Sequence, residues 1–228
     1  MNQLVLKGFN MIDIEVIDIK NIYFDKLNHI FYYNNGSENP QRLPSVSEII
    51  DSSRFYKDIP KDILEKSMEY GAYLHQDVKY FLETNEIWYD RIKKFKEVFD
   101  LVKKKNGNLI GCEKIVSAKV NGVHYAGIYD IMLESAIIEV KTATANLKNH
   151  LHYAVQLVAY SMASGRFNDI KDYYVFYYDK KTESWKIKSY TELEIYNAID
   201  CFVNGYIKKY HSNMIIENYY SEKENKLI

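Results

Sequence analysis

Two acidic residues and one lysine lie in neighbouring apolar stretches of the chain, where charged side chains are costly to bury. Asp130 ends the stretch Gly-Ile-Tyr-Asp, and Glu139 and Lys141 follow it within the stretch Ile-Ile-Glu-Val-Lys-Thr. Burial of such charges is unfavourable unless a counter-charge replaces the lost hydration. A divalent cation together with a phosphate group would do so, and we therefore consider a metal-dependent phosphodiesterase first.

The spacing of these residues predicts that their side chains converge. A tight turn would place Asp130 and Glu139 on neighbouring antiparallel strands, about 4.8 Å apart. Glu139 and Lys141 are two residues apart and project from the same face of their strand. Two carboxylates so close repel unless a cation bridges them, and oxygen ligands suit Mg²⁺ or Mn²⁺ better than zinc. Lys141 could orient the attacking water or neutralise charge on the phosphate. A surface ion-pair cluster is the alternative.

One histidine is a candidate metal ligand. His75 shares a predicted helix face with Leu64, Met68 and Ala72, at spacings of three and four residues. Small residues just before it would let this helix approach a sheet closely. An isolated histidine on an amphipathic helix more often has a structural role. An imidazole beside Asp130 could complete a metal shell, and manganese tolerates nitrogen ligands better than magnesium does.

Gln156 and Tyr160 are four residues apart, on one face of an otherwise apolar predicted helix. A buried glutamine must find a hydrogen-bond partner. Its partner could be a neighbouring backbone group, which is a structural role. Alternatively, the glutamine amide and the tyrosine hydroxyl could face the phosphate or the terminal base of a nucleic-acid strand.

Composition narrows the function classes. With 228 residues, 47% hydrophobic and 27% charged, the chain fits one globular domain, with or without a helical appendage. Its net charge of −1 argues against a non-specific nucleic-acid coat protein. Its 2 cysteines exclude a four-cysteine iron–sulfur or zinc site within one chain. The sequence lacks a P-loop, a signal peptide and an apolar run of roughly 20 residues, so we expect a cytoplasmic protein without a membrane partner.

Local patterns predict the elements that would position these residues. Alternating residues predict N-terminal strands, and Ser45 with Glu48 predicts a helix N-cap. Asn121-Gly122 predicts a hairpin turn. The predicted strands span residues 12–19, 28–33, 113–120, 123–133, 136–142, 172–178 and 185–190. The predicted helices span residues 61–82, 89–105, 147–163 and 191–211. The helix 89–105 is basic, and Lys93 and Lys94 lie either on a solvated face or against a DNA backbone.

These motifs together resemble the PD-(D/E)XK nuclease superfamily, specifically its RecB-like and lambda-exonuclease-like branch. In that branch a helical histidine is followed by Gly-x-x-Asp, an Asp/Glu-x-Lys strand and a helix with Gln-x-x-x-Tyr. This chain has His75, residues 127–130, residues 139–141, and Gln156 with Tyr160, in that order. The segment Leu-Pro-Ser-Val-Ser at residues 43–47 is similar to one common in phage-encoded members. The resemblance covers about residues 43–178.

The resemblance implies roles for particular residues. His75, Asp130, Glu139 and the carbonyl of Val140 would bind Mg²⁺ or Mn²⁺. Lys141, with Glu139 and Asp130, would be catalytic. Gln156 and Tyr160 would contact DNA, and Glu113 would be an auxiliary acidic residue. Tyr129 stands where the family has its eponymous proline, and the cysteine-bound cluster and helicase motor of some relatives are absent from the sequence.

The resemblance also implies a fold and an activity. We expect an α/β (α+β) fold with a restriction-endonuclease-like core, in which helices flank a mixed central sheet. An N-terminal β-rich extension with helical content would span residues 1–42, the nuclease domain 43–212 and a tail 213–228. The expected activity is exonucleolytic cleavage at DNA ends in recombination, repair or phage replication, in the host cytoplasm if phage-encoded. A single-strand annealing or replication protein is a candidate partner, and an oligomer is allowed. The alternatives are a site-specific endonuclease and a catalytically silent binding or adaptor protein.

Overall fold

The computed structural model describes residues 2–4, 12–51, 59–142 and 150–213. The strands are β1 (Asn2–Leu4), β2 (Ile12–Val16), β3 (Ile22–Asp25), β4 (Ile30–Tyr33), β5 (Gln41–Leu43), β6 (Leu109–Val120), β7 (Val123–Leu133), β8 (Ala136–Lys141), β9 (Asp172–Asp179) and β10 (Ser184–Ser189). The helices are α1 (Val46–Ile49), α2 (Lys61–Thr84), α3 (Asp90–Asn106), α4 (His150–Ala163) and α5 (Glu192–Asp200). A π-helical segment, Cys201–Ile207, directly follows α5.

The central sheet has seven strands in the order β1-β2-β6-β7-β8-β9-β10. Every neighbouring pair is antiparallel except β8 and β9, which are parallel. A parallel pair needs a crossover connection, and α4 lies in that connection. The prediction of a mixed central sheet flanked by helices is therefore confirmed.

Helices cover both faces of this sheet, and the alternation of side chains along the strands decides what each face buries. Ile137 and Val175 belong to the core beneath α1, α4 and α5. Ile138 and Phe176, the next residues along, belong to the core beneath α2 and α3. Strands buried on both faces are apolar almost throughout, so a charged residue in β8 needs a special environment.

The N-terminal part of the chain contributes to two sheets. Strands β3, β4 and β5 form a separate three-stranded antiparallel sheet. Strand β2 instead pairs with β6, with Ile14 opposite Val120, and so extends the central sheet. Part of the predicted extension thus lies in the central sheet, and the predicted domain boundaries stay predictions. No described helix is long and apolar enough to cross a membrane.

The short helix α1 begins as its sequence predicts. The Ser45 side chain accepts a hydrogen bond from the Glu48 N–H at 3.1 Å, and the Glu48 carboxylate accepts one from the Ser45 N–H at 2.7 Å. This reciprocal capping box satisfies two backbone donors at the helix start. Hence the local pattern at these two residues was sufficient to locate the N-terminus of α1.

The buried face of α2 differs from the face that carries the predicted apolar stripe. Met68 is 65% exposed and Ala72 is also exposed, whereas Leu74, Val78 and Phe81 are buried. Helical spacing identifies residues that share a face, but it does not show which face a neighbouring element covers. The helix itself was predicted to within two residues of its end.

Several element boundaries also differ from the predictions. The strand predicted over residues 12–19 ends at Val16 and is followed by a 3₁₀ turn at Ile19–Asn21. Strand β6 begins at Leu109, four residues before the predicted start at 113, because it pairs with β7 past an irregularity between Leu109 and Gly111. Residues 147–149 of the predicted fourth helix lie outside the described residues, as does most of the predicted tail.

Candidate functional site

The site forms where β7 and β8 stop pairing. Their ladder contains the pairs Ile131–Ile138 and Met132–Ile137, so Asp130 and Glu139 occupy the next corresponding positions. There the Asp130 carboxylate accepts the backbone N–H of Val140 at 2.6 Å. A side chain thus takes over a backbone donor at the point where the strands separate, and it holds the carboxylate against β8.

His75 of α2 lies against the same atoms. Its Nδ1 is 3.3 Å from Asp130 Oδ1 and 3.7 Å from Glu113 Oε1. Its Nε2 is 3.1 Å from the Val140 carbonyl oxygen. Burial alone would lower the pKa of His75, but the charge and hydrogen bond of Asp130 outweigh it and raise the pKa to about 9. With an acceptor at each ring nitrogen, the ring has the surroundings of a doubly protonated imidazolium.

Gly71 explains how α2 comes this close to the strand end. A Cβ at this position would lie 3.6 Å from Thr142 Oγ1, which is ordinary contact, so the small residue leaves room beside the end of β8. His75 follows one helical turn later, on the same side of α2. The expectation that small residues upstream allow a close approach agrees with this packing.

Glu139 is almost completely buried, with 2% exposure, and forms an ion pair with Lys141. Burial, together with the nearby Asp130 carboxylate, raises the pKa of Glu139 to about 7. Burial would lower the pKa of Lys141, but the charge of Glu139 outweighs this and raises it. The second Glu139 oxygen, Oε2, is buried and has no hydrogen-bond partner among the described residues. An orphaned buried carboxylate oxygen is costly, and in native sites it commonly indicates a missing ligand.

Gly127, the first residue of the Gly-x-x-Asp motif, is required by packing rather than by its backbone conformation. A Cβ at this position would lie 2.5 Å from Cε1 of Tyr160 and 3.1 Å from Cγ2 of Val46. The Tyr160 ring therefore fills the space that the glycine leaves. Two motifs that are separate in the sequence are thus parts of one packing arrangement behind the carboxylates.

Gln156 and Tyr160 are both buried, with 8% and 5% exposure. The Gln156 amide donates to the Tyr160 hydroxyl at 2.9 Å, and this supplies the partner that a buried glutamine needs. Burial raises the pKa of Tyr160, and the charge of Glu139 raises it further, so this ring lies near the site. Their predicted contact with DNA stays a prediction.

Glu113 lies on the other side of Asp130, in β6, between the β6–β7 pairs Cys112–Ile131 and Lys114–Tyr129. Its φ of 45° is in the left-handed region, which a non-glycine residue adopts at some cost. This conformation brings its carboxylate to 3.7 Å from the His75 ring and 3.8 Å from Lys79 Nζ. Lys79 was missed in the sequence; its position one turn after His75 was the available signal.

The basic helix α3 uses some of its cations in the fold. Lys94 Nζ lies 3.2 Å from Asp90 and donates to the Glu183 carbonyl at 3.0 Å. Lys105 pairs with Asp172 at 2.7 Å. Lys93 is exposed. A DNA contact through Lys93 and Lys94 therefore stays a prediction, and Lys94 would have to exchange its present partners to make one.

The donor atoms fit a hard divalent cation, although they are not arranged around one. No group of three or more histidine, cysteine, aspartate or glutamate side chains in the described residues is placed to hold a metal ion. The reason is visible in the contacts: His75 bonds to Asp130 and to the Val140 carbonyl, and Lys141 pairs with Glu139. Two carboxylates, one of them with an orphaned oxygen, and a backbone carbonyl nevertheless form the oxygen-rich set that Mg²⁺ and Mn²⁺ prefer.

No family model matches the chain, and no curated protein matches it. Among solved structures, it is similar to the crystal structure of LHK-Exo in complex with dAMP. The identity is 15%, the match covers 80% of this chain and 84% of that chain, and the TM-score is 0.34. A likeness at this level does not bear on the function of this chain.

Proposed function

We propose that this protein is a metal-dependent DNA nuclease that hydrolyses phosphodiester bonds, and that it acts as an exonuclease at DNA ends. The observation that supports the proposal best is the convergence of His75, Asp130, Glu139 and Lys141 at the point where β7 and β8 separate. Four ionisable groups in a largely apolar sheet carry a desolvation cost that a purely structural role does not explain. Strongly shifted pKa values in such a cluster are typical of functional sites.

The proposed division of roles follows from the surroundings of each residue. Asp130, Glu139, the Val140 carbonyl and His75 would hold Mg²⁺ or Mn²⁺, which when bound supplies Lewis-acid stabilisation of the phosphate and lowers the pKa of a water molecule. His75 must lose a proton before it can act as a ligand. The Val140 N–H holds the Asp130 carboxylate in position.

Lys141 would act on the substrate. Its ammonium group is fixed beside Glu139 and lies 5.5 Å from the centre of the Tyr153 ring, so its position is restrained on two sides. A buried, permanently charged lysine can neutralise the charge that develops on the scissile phosphate and can orient the attacking water. Gln156 and Tyr160, behind the carboxylates, would support this arrangement and reach the terminal nucleotide only if the site opens.

The first experiment removes the lysine charge. Purified protein with Mg²⁺ or Mn²⁺ should degrade linear DNA, and Lys141→Met should reduce the rate by about 10²–10³-fold, the usual effect of losing a charge-stabilising group. Methionine keeps much of the side-chain volume, and circular dichroism would verify folding. Lys119→Ala, which removes an exposed lysine of β6, is the control and should cut at the wild-type rate. Undiminished cleavage by Lys141→Met contradicts the proposal.

A second experiment separates the exonuclease from a site-specific endonuclease. We expect linear DNA labelled at either terminus to lose its label progressively, while closed circular DNA stays intact. Discrete fragments from the circular substrate would favour the endonuclease. The labels also determine the direction of digestion and the preference for single or double strands.

The absence of a preformed metal arrangement in the described residues favours one further candidate, a nuclease-fold binding or adaptor protein without turnover. Calorimetric titration with Mn²⁺ distinguishes the two. A nuclease should show uptake that Asp130→Asn removes, whereas an adaptor need show none. Participation in recombination, repair or phage replication, together with an annealing or replication protein, belongs to the same proposal and follows only if turnover is found.

A further inference from the structure

A groove lined by aromatic side chains lies beside α2, on the side turned away from the nuclease candidate site. Its volume is about 250 Å³. Its principal lining residues are Tyr73, Asp77, Tyr80, Glu86, Trp88 and Tyr89. At 3.6 residues per turn, Tyr73 and Tyr80 project from the opposite side of α2 to His75. The groove is therefore separate from the candidate nuclease site.

Several of these rings are exposed to a degree that is unusual for large side chains. Trp88 is 66% exposed, Tyr73 57% and Tyr89 48%. Trp88 and Tyr80 pack against each other with ring centres 4.4 Å apart. Scattered exposed apolar residues need no explanation, but aromatic residues clustered around a groove are typical of an interaction site.

The electrostatics of the groove select the ligand. The Glu86 carboxylate accepts hydrogen bonds from the Tyr80 hydroxyl at 2.5 Å and the Trp88 indole N–H at 3.2 Å. Both donors are neutral, and Glu86 forms no ion pair with any residue in the described part of the chain. A carboxylate held between two aromatic rings is complementary to a cation.

The same groove contains an internal example of this recognition. The guanidinium group of Arg91 pairs with Asp77, and its central carbon lies 4.4 Å from the centre of the Tyr89 ring. An arginine is thus held between a carboxylate and an aromatic face. Glu86 and Trp88 offer the same two features on the opposite wall, without a cation between them.

We propose that this groove binds an arginine side chain of a partner protein, with the guanidinium against Glu86 and the ring of Trp88. Arginine suits the site better than lysine, because a planar guanidinium both stacks on an indole and pairs with a carboxylate. A nucleic-acid strand is disfavoured. Its phosphates would need cations, whereas Arg91 is already paired and Glu86 would repel them.

The test uses short peptides of defined charge as probes on the full-length protein. We expect acetyl-Gly-Arg-Gly-Arg-Gly-amide to bind in calorimetric titration and to shift the indole N–H resonance of Trp88. The chain has 2 tryptophans, and Trp185 is buried, so Trp88→Phe assigns the signal. The corresponding peptide with glutamate in place of arginine, and a short oligothymidylate, should leave this resonance unmoved.

Two substitutions locate the binding. Glu86→Gln keeps the shape of the side chain but removes the charge, and it should weaken binding of the arginine peptide by about tenfold. Trp88→Leu keeps an apolar surface but removes the ring face and should abolish binding. Glu97→Gln, at an exposed glutamate of α3 outside the groove lining, is the matched control and should bind as the wild type does. Neither groove substitution touches the nuclease candidate site, so DNA cleavage should be unchanged.

The outcomes that overturn the proposal are equally definite. Equal shifts of the Trp88 resonance by oligothymidylate would make the groove a base-stacking surface. Wild-type affinity in both Glu86→Gln and Trp88→Leu would place peptide binding elsewhere on the surface. A lack of any binding by the arginine peptide would remove the partner from consideration.

Discussion

The two carboxylates of the candidate site have different environments although they lie on neighbouring strands. Asp130 faces the His75 ring and accepts the Val140 N–H, so its pKa is lowered despite the opposing effect of burial. Glu139 is buried more completely, and burial with the nearby Asp130 raises its pKa to about 7. Neighbouring groups whose environments separate their pKa values are typical of acid–base and metal sites. Asp130 is therefore the carboxylate that stays ionised at neutral pH.

Replacement of Asp130 tests its role directly. Asp130→Asn keeps the shape and removes the charge, and we expect the affinity for Mn²⁺ to fall by at least the roughly 100-fold that a supporting residue costs. Calorimetry measures the affinity, and the pKa of His75, followed by NMR, should fall because its main counter-charge is gone. Asp62→Asn, at an exposed position of α2, is the control. Unchanged Mn²⁺ binding in Asp130→Asn would show that the metal, if bound, lies elsewhere.

Gly127 gives a second prediction at the residue scale. Gly127→Ala would place a methyl group 2.5 Å from the Tyr160 ring, so we expect a loss of about 1–3 kcal/mol in the free energy of unfolding, as for other overpacked cores. Urea denaturation measures it. Gly205→Ala adds a methyl group that would meet nothing within 4 Å, and it should be neutral or slightly stabilising. Equal stabilities of the two variants would contradict the packing role of Gly127.

At the scale of elements, local patterns located helices and strands better than they located contacts. The strand β7 was predicted with the boundaries that the structure has, and α2 to within two residues at its end. The buried face of α2 was not predicted, since Met68 is exposed and Leu74 is buried. Periodicity is a property of the segment alone, whereas burial depends on which neighbour covers it.

The start of α5 provides a prediction about pH. Glu194 closes a capping box with Thr191 and lies 2.6 Å from Lys188. Burial would raise the pKa of Glu194, but the hydrogen bonds and charge of these partners lower it. A lowered carboxyl pKa gives stability that is present above the unfolded value of about 4.3 and is lost as pH falls below it.

Glu194→Gln keeps the shape of the side chain and removes the charge. We expect the variant to be less stable than the wild type by about 0.5–1 kcal/mol at pH 7, because it loses an ion pair and a favourable charge at a helix start. The difference should shrink as pH falls through 4. Thermal unfolding at several pH values measures it, with Glu97→Gln as the reference. A difference that grows on acidification would contradict the assigned direction.

At the scale of the whole molecule, the site lies where two helical layers and the sheet meet. The two layers cover opposite faces of the sheet, and α2 contributes His75 while α4 contributes Gln156 and Tyr160. Strand β8 pairs antiparallel with β7 and parallel with β9. Such a strand needs a helical crossover behind it, and this crossover carries the glutamine and tyrosine to the carboxylates.

A metal ion that binds only the folded protein should stabilise the whole molecule. With Mn²⁺ at about 100 times its dissociation constant, we expect the free energy of unfolding to rise by roughly 2.7 kcal/mol. Chelation should reverse the gain, and Asp130→Asn should show none. Thermal or urea unfolding with and without Mn²⁺ measures it. An equal gain in Asp130→Asn would assign the stabilisation to a different site.

The sequence by itself determined the order of the motifs and the type of each main element. The Gly-x-x-Asp stretch, the Glu-x-Lys strand and the Gln/Tyr helix could be identified because their spacing follows the periods of strands and helices. The same periods placed Asp130 and Glu139 at corresponding positions of a hairpin. These features are local, and local propensity is written in neighbouring residues.

Only the tertiary structure decided how the motifs pack. The Tyr160 ring occupies the space above Gly127, Gln156 bonds to Tyr160, and Glu113 adopts a left-handed conformation beside His75. Strand β2 joins the central sheet through β6. Each of these contacts joins residues that are distant in the chain or depends on such a neighbour. Pairing and packing between distant segments are selected by the energy of the whole core, which no single stretch of sequence contains.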